Sequence, residues 1–117
     1  MNIKELETRM DKAYEVLELA TEEYRDQAEY VRQLERDLKL DILEAYAEER
    51  ISGKNQTQRD AAEYALFKDR IDELEKAKHE EAETYREKEI AEIEVKYLHD
   101  ILRIKELSEI EQVQIEL

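Results

Sequence analysis

The chain has 117 residues, 44% of them charged, with a formal net charge of −14 and no cysteine, proline or tryptophan. That length allows one domain at most. So acidic a surface repels phosphate backbones, which excludes direct nucleic-acid binding as an expectation, and without cysteine there are no disulfides or thiolate metal sites. Acids outnumber bases in both halves, 15 to 8 over residues 1–52 and 18 to 11 over residues 53–117, so neither half is a basic arm.

Leu, Glu, Lys, Ala, Arg and Gln crowd out strand formers, which points to long helices. Aromatic content is only 7%, too low for a compact globular core. A two-helix seam buries little apolar surface for its length, so self-association is the expected source of further stability. No apolar run approaches a membrane span, and the charged, amphipathic start Met1–Glu5 lacks an apolar leader. The expectation is therefore a cytoplasmic protein with no membrane contact.

The first helix is predicted over residues 2–52, with Asn2 as its N-cap. Ile3, Leu6, Met10, Ala13, Leu17, Ala20, Tyr24, Gln27, Val31, Leu34 and Leu38 follow the seven-residue repeat of a coiled-coil seam. Asp41 breaks the repeat, and the apolar face moves to Ile42, Ala45 and Tyr46. Tyr14, Val16 and Ala28 widen the stripe, so this helix is expected to touch more than one neighbour.

The segment 53–57 is predicted as a turn. Gly53 is the only glycine in the chain and is expected to close the first helix in the left-handed conformation. Asn55, with Thr57 as the alternative, is expected to cap the second helix, and Gln58 stands at capping-box spacing from Asn55. Arg59 is placed to pair with Glu48 or Glu49.

The second helix is predicted over residues 58–107. Its seam reads Tyr64, Phe67, Ile71 and Leu74, then thins to Ala77, Ala82 and Tyr85, leaving residues 73–89 the weakest-packed part. Beyond it, Ile90, Ile93, Tyr97, Ile101 and Ile104 form one apolar row, and Ala91, Val95, Leu98 and Leu102 a second. A helix apolar around most of its circumference is covered on two sides; the first helix covers one, and a second copy of the chain is expected on the other. Folding about Lys54–Asn55 brings together residues whose numbers sum to about 108–110, so Leu34 meets Leu74, Phe67 meets Ile42, and Met10 and Leu17 meet the isoleucine-rich region. Residues 108–117 then overhang. They are expected as a C-terminal tail or an extension of the helix, with disorder, an edge strand and a docking segment all left open. Ile110, Val113, Ile115 and Leu117 are the candidate docking positions, and the alternation from Val113 onward has strand periodicity.

No catalytic chemistry is legible. A di-iron bundle needs Glu-x-x-His on facing helices, and the residues three before His79 and His99 are Lys76 and Lys96. Glu75, His79 and Glu83 share a face, in the manner of an ion-pair ladder. One glycine permits no phosphate loop, Ser52 and Ser108 have no histidine nearby in sequence, and carboxylates on solvated faces lack the apolar pocket that tunes an acid. No cofactor and no metal are expected. Tyr24, Tyr64, Tyr85 and Tyr97 are read as seam residues.

The long acidic helix, the turn Ser52-Gly53-Lys54-Asn55, and Arg59 with Ala61-Ala62 opening a second helix resemble small proteins of bacteriophages and prophages encoded among early replication, recombination or host-takeover genes. The resemblance implies an accessory role and assigns no residue. The fold class expected is all-α, a long antiparallel, coiled-coil-like helical hairpin that self-associates into a bundle. The function expected is a non-catalytic protein-interaction module. The alternatives are an acidic nucleic-acid mimic that inhibits a DNA- or RNA-binding enzyme, of anti-restriction or anti-CRISPR type, and a structural coiled-coil spacer.

Overall fold

The computed structural model describes residues 1–116 and contains two helices, α1 (Ile3–Ala47) and α2 (Gln56–Glu116), joined by residues 48–55. The chain is an all-α helical hairpin. Both helix starts are capped by asparagine, whose short carbonyl replaces a missing intrahelical acceptor. Asn2 Oδ1 accepts the Glu5 N–H at 2.8 Å, and Asn2 Nδ2 donates to Glu5 Oε1 at 3.2 Å. Asn55 Oδ1 accepts the Gln58 N–H at 2.9 Å, while Gln58 Oε1 accepts the Lys54 N–H at 2.8 Å. The return bond thus lands one residue earlier than a capping box requires.

The end of α1 corrects the expected boundary. The helix stops at Ala47, not at residue 52, and Gly53 is not left-handed; the residue with positive φ is Glu49, at 60°. The Arg50 N–H reaches Ala45 O at 2.9 Å and the Glu49 N–H reaches Tyr46 O at 3.1 Å, the paired bonds of a Schellman stop with Glu49 in the place glycine favours. The reason lies in Ile51. Had the helix run on, Ile51 would sit roughly 140° from the buried row at about 100° per residue. Instead the chain turns back and Ile51 is buried with Leu38, Ala45 and Phe67. Burying an isoleucine gives about 1.5–3 kcal/mol, which exceeds the roughly 1–2 kcal/mol cost of one left-handed residue. Glu49→Gly is therefore expected to stabilise the protein by up to about 1 kcal/mol, read as a raised urea midpoint; a lowered midpoint would show that the Glu49 side chain matters more than its backbone.

Gly53 is required for closeness instead. A Cβ there would lie 2.8 Å from Gln58 Cβ and 2.9 Å from the Arg59 nitrogen. Arg59 does not reach Glu48 or Glu49: its guanidinium donates to Gly53 O at 3.4 Å and Gln56 Oε1 at 3.3 Å. Glu48 pairs with Arg50 at 2.8 Å.

The chain divides into two compact units, residues 25–83 and residues 1–24 with those from 84 onward. In the turn-side unit, Leu38, Ala45, Ile51 and Phe67 make the core, with Ile42, Tyr46, Ala62, Ile71 and Leu74 packed on it. Gln27 Nε2 donates to Ala77 O at 3.1 Å, Tyr46 Oη to Glu63 at 3.2 Å, and Arg70 pairs with Asp41. The α2 backbone leaves helical geometry at Phe67 (φ −116°, ψ 17°). No proline or glycine lies in α2 to cause this; the departure coincides with the one large ring of the core cluster.

In the other unit Leu6, Ala13 and Leu98 form the core, with Met10, Val95, Ile101 and Leu102 packed around them. The buried α1 residues fall seven apart as Leu6, Ala13 and Ala20, then again as Val31, Leu38 and Ala45. The two sets occupy different halves of the heptad, since a straight helix drifts by about 20° per seven residues. The segment beyond residue 107, expected to overhang, does so with every described side chain exposed. Its strand periodicity is overruled: α2 runs to Glu116, because extending an existing helix fixes one residue per bond gained and no breaker interrupts it. The second helix thus starts at 56 instead of 58 and runs to 116, the helix-extension alternative for the residues beyond 107, and the turn is 48–55 instead of 53–57.

Candidate interaction face

The two apolar rows of α2 have separate fates. Ala91 and Leu98 are buried and Val95 and Leu102 half-buried, so this row is the seam against α1. The other row lies open: Ile90 is 60% exposed, Ile93 68%, Tyr97 56% and Ile104 68%. Ile101 sits between the two, half-buried on the edge of the Leu6–Leu98 cluster. Of the expected face, Val95, Leu98 and Leu102 are therefore structural, while Ile90, Ile93, Tyr97 and Ile104 remain presented. On the same side, Val16 of α1 is exposed and lines a shallow groove with Arg9, Lys12, Ala13, Ala91 and Glu94. Arg9 and Glu94 approach to 3.5 Å across it.

In the candidate docking segment, Ile110, Val113 and Ile115 are all exposed on the helical extension; Leu117 lies outside the described residues. Helical spacing puts Ile110 and Val113 side by side on one face, together with Glu106, Glu109 and Gln114.

Three seam assignments change: Tyr64 and Tyr97 are exposed and Ala82 faces out, while Tyr85, though largely exposed, meets the Tyr24 ring of α1. The inward positions between Ala77 and Ala91 are Glu81, Thr84 and Lys88. Lys88 is the residue that an apolar pattern overlooks. Its ammonium lies 5.5 Å from the Tyr24 ring centroid and 5.9 Å from that of Tyr85, and the two rings stand 5.3 Å apart. Lys88 also reaches Glu92 at 3.5 Å. The aliphatic stem packs while the charge meets ring faces. The signal that was available is Tyr85 three residues before a lysine on a seam position.

Three phenols are held protonated. A hydrogen bond to Glu73 raises the Tyr30 pKa, partial burial and then the bond to Glu63 raise that of Tyr46, and a hydrogen bond to Glu89 raises that of Tyr85. Each phenol donates to a carboxylate, so these groups tie side chains together instead of exchanging protons near neutrality. Elsewhere exposed carboxylates pair with Lys78 (Glu35, 3.0 Å) and Arg32 (Glu29, 2.7 Å), and His79 Nε2 lies 3.3 Å from Glu83. Among the described residues, no group of three or more His, Asp or Glu side chains is placed to hold a metal ion, no helix is long and apolar enough to cross a membrane, and no buried residue is polar or charged. No protein-family model, curated protein or solved structure matches the chain.

Proposed function

We propose that the protein is a non-catalytic, cytoplasmic protein-interaction module, an accessory factor of bacteriophage type that binds a replication, recombination or host-defence protein. The observation that carries this reading is the row Ile90, Ile93, Tyr97 and Ile104 left open on α2, with Ile110, Val113 and Ile115 exposed on the extension beyond it. Scattered exposed leucines are ordinary on any surface, but a row at helical spacing is how an amphipathic helix presents anchors to a groove. Self-association through that row accompanies the proposal, and the extension beyond residue 107 is the segment offered to a different protein.

The test is affinity capture from a bacterial lysate with the full chain, compared with the variant Ile110→Ser/Val113→Ser/Ile115→Ser, at low and high salt. Apolar docking predicts one specific partner, lost in the triple variant and retained at high salt, since burial of apolar area is not screened. A nuclease or other nucleic-acid enzyme that releases as salt rises, and also on changing Glu80, Glu81 and Glu83 to glutamine, would replace this reading with the acidic-mimic alternative, because exposed charge pairs are screened over about 8–10 Å. No partner under either condition would leave the spacer reading.

A further inference from the structure

We infer that the occupant of the open row at residues 90–104 is a second copy of the same helix, crossing antiparallel with its two-fold axis at Tyr97. This rests on the reading of the row as an interaction surface and specifies what covers it. At about 100° per residue, Ile90, Ile93, Tyr97, Ile101 and Ile104 fall within an arc of roughly 80°, centred roughly 130° from the seam row.

The row is a palindrome. Read from Tyr97 in either direction, the chain meets isoleucine after four residues and again after three more. A two-fold contact must be self-complementary, with residue i meeting j where j meets i. An antiparallel crossing at Tyr97 sets Ile90 opposite Ile104 of the second copy, and Ile93 opposite Ile101. Tyrosine meets tyrosine at the axis, where offset or edge-to-face ring pairs are favourable.

Charge sets the direction. Residues 87–94 carry Glu87, Glu89, Glu92 and Glu94 against Lys88 alone, and residues 96–105 carry Lys96, Arg103 and Lys105 against Asp100 alone. Within this acidic end Lys88 reaches Glu92 and Arg9 reaches Glu94, both at 3.5 Å, so Glu87 and Glu89 carry its remaining acidity. An antiparallel partner lays its basic end over this acidic end, whereas a parallel one stacks acid on acid, and such complementarity fixes orientation. Val16, exposed beside the same groove, widens the contact from one helix to two, as in a four-helix bundle.

The test is sedimentation equilibrium of the full chain from low to several hundred micromolar, with Tyr97→Glu and Tyr97→Ser alongside. The wild type is expected to reach twice the chain mass, and Tyr97→Glu to weaken the pairing at least about a hundredfold, with helicity by circular dichroism unchanged because Tyr97 is exposed. Orientation is read by single cysteines, which the natural chain lacks. Mixed Ile90→Cys and Ile104→Cys proteins should form the 90–104 disulfide well ahead of 90–90 or 104–104. A wild type that stays monomeric, a Tyr97→Glu dimer as tight as wild type, or dominant 90–90 cross-links would each overturn the inference. A monomer that still captures a partner through residues 110–115 overturns the pairing alone; a dimer that captures nothing overturns the interaction reading alone.

Discussion

Leu98→Ala is expected to cost about 2–3 kcal/mol of stability, toward the lower end of the range for emptying a leucine site in a core. Leu98 is fully buried, and with Leu6 and Ala13 it forms the buried core cluster of its unit. The flanking side chains Met10, Val95, Ile101 and Leu102 are only partly buried, so they can close in and let water reach the remainder, which keeps the cost below that of a deep globular core. The measurement is urea unfolding of the wild type, Leu98→Ala and Ile93→Ala under conditions where the chain is monomeric. Ile93 is 68% exposed, and its truncation should change stability by less than about 0.5 kcal/mol, as at an ordinary surface site. Equal losses at the two positions would mean that the rows have been assigned to the wrong sides of α2.

The turn gives the second large effect. Gly53→Val is expected to cost about 2–3 kcal/mol, and Gly53→Ala nearly as much, because the first added carbon already makes the clash. That carbon would stand 2.8 Å from Gln58 Cβ, 2.9 Å from the Arg59 nitrogen and 3.1 Å from the Gln58 carbonyl carbon. Two of these atoms are backbone in the first turn of α2 and cannot swing aside. Relieving the contact pulls the chain away from Gln58, whose side chain holds the Lys54 N–H, and strains the Asn55 cap, itself worth about 1 kcal/mol. Chemical denaturation of both variants checks this. An alanine variant as stable as wild type would show that the turn opens freely; a left-handed glycine would instead have made valine markedly worse than alanine, and φ at Gly53 is not positive.

Much of the architecture was legible because it depends on local chemistry. Asparagine caps, the absence of breakers and the reflection about the turn are properties of neighbouring residues, and Tyr46 with Glu63 or Tyr24 with Tyr85 fall on that reflection. The presence of two apolar rows on α2 was also visible. Which row faced α1 was not, since both satisfy the same periodicity and only the partner's placement separates them. The end of α1 was misplaced because a glycine is a strong local signal, while the burial of Ile51 against Leu38 and Phe67 is a tertiary gain that no window around residue 47 contains. The middle of the seam was misread for a related reason. Apolarity selects Ala82 beside Tyr85, but Ala82 faces out and the positions facing inward hold Glu81, Thr84 and Lys88; a lysine whose stem packs and whose charge rests on two rings does not register as core.

The division of buried side chains between two separate clusters also bears on the order in which the chain can acquire its structure. Ala45, Ile51 and Phe67 are near neighbours along the chain, so bringing them together closes a short loop. Leu6 and Leu98 are joined by almost the entire sequence. Loop-closure entropy rises with the logarithm of length, so the distant contact costs more if it forms first and little once intervening residues are already side by side. Assembly that starts at the turn and zips outward meets only short closures. The thin, polar stretch around Thr84 and Lys88 is then the step with the least apolar gain to drive it, and the Leu6–Leu98 cluster is the reward waiting beyond.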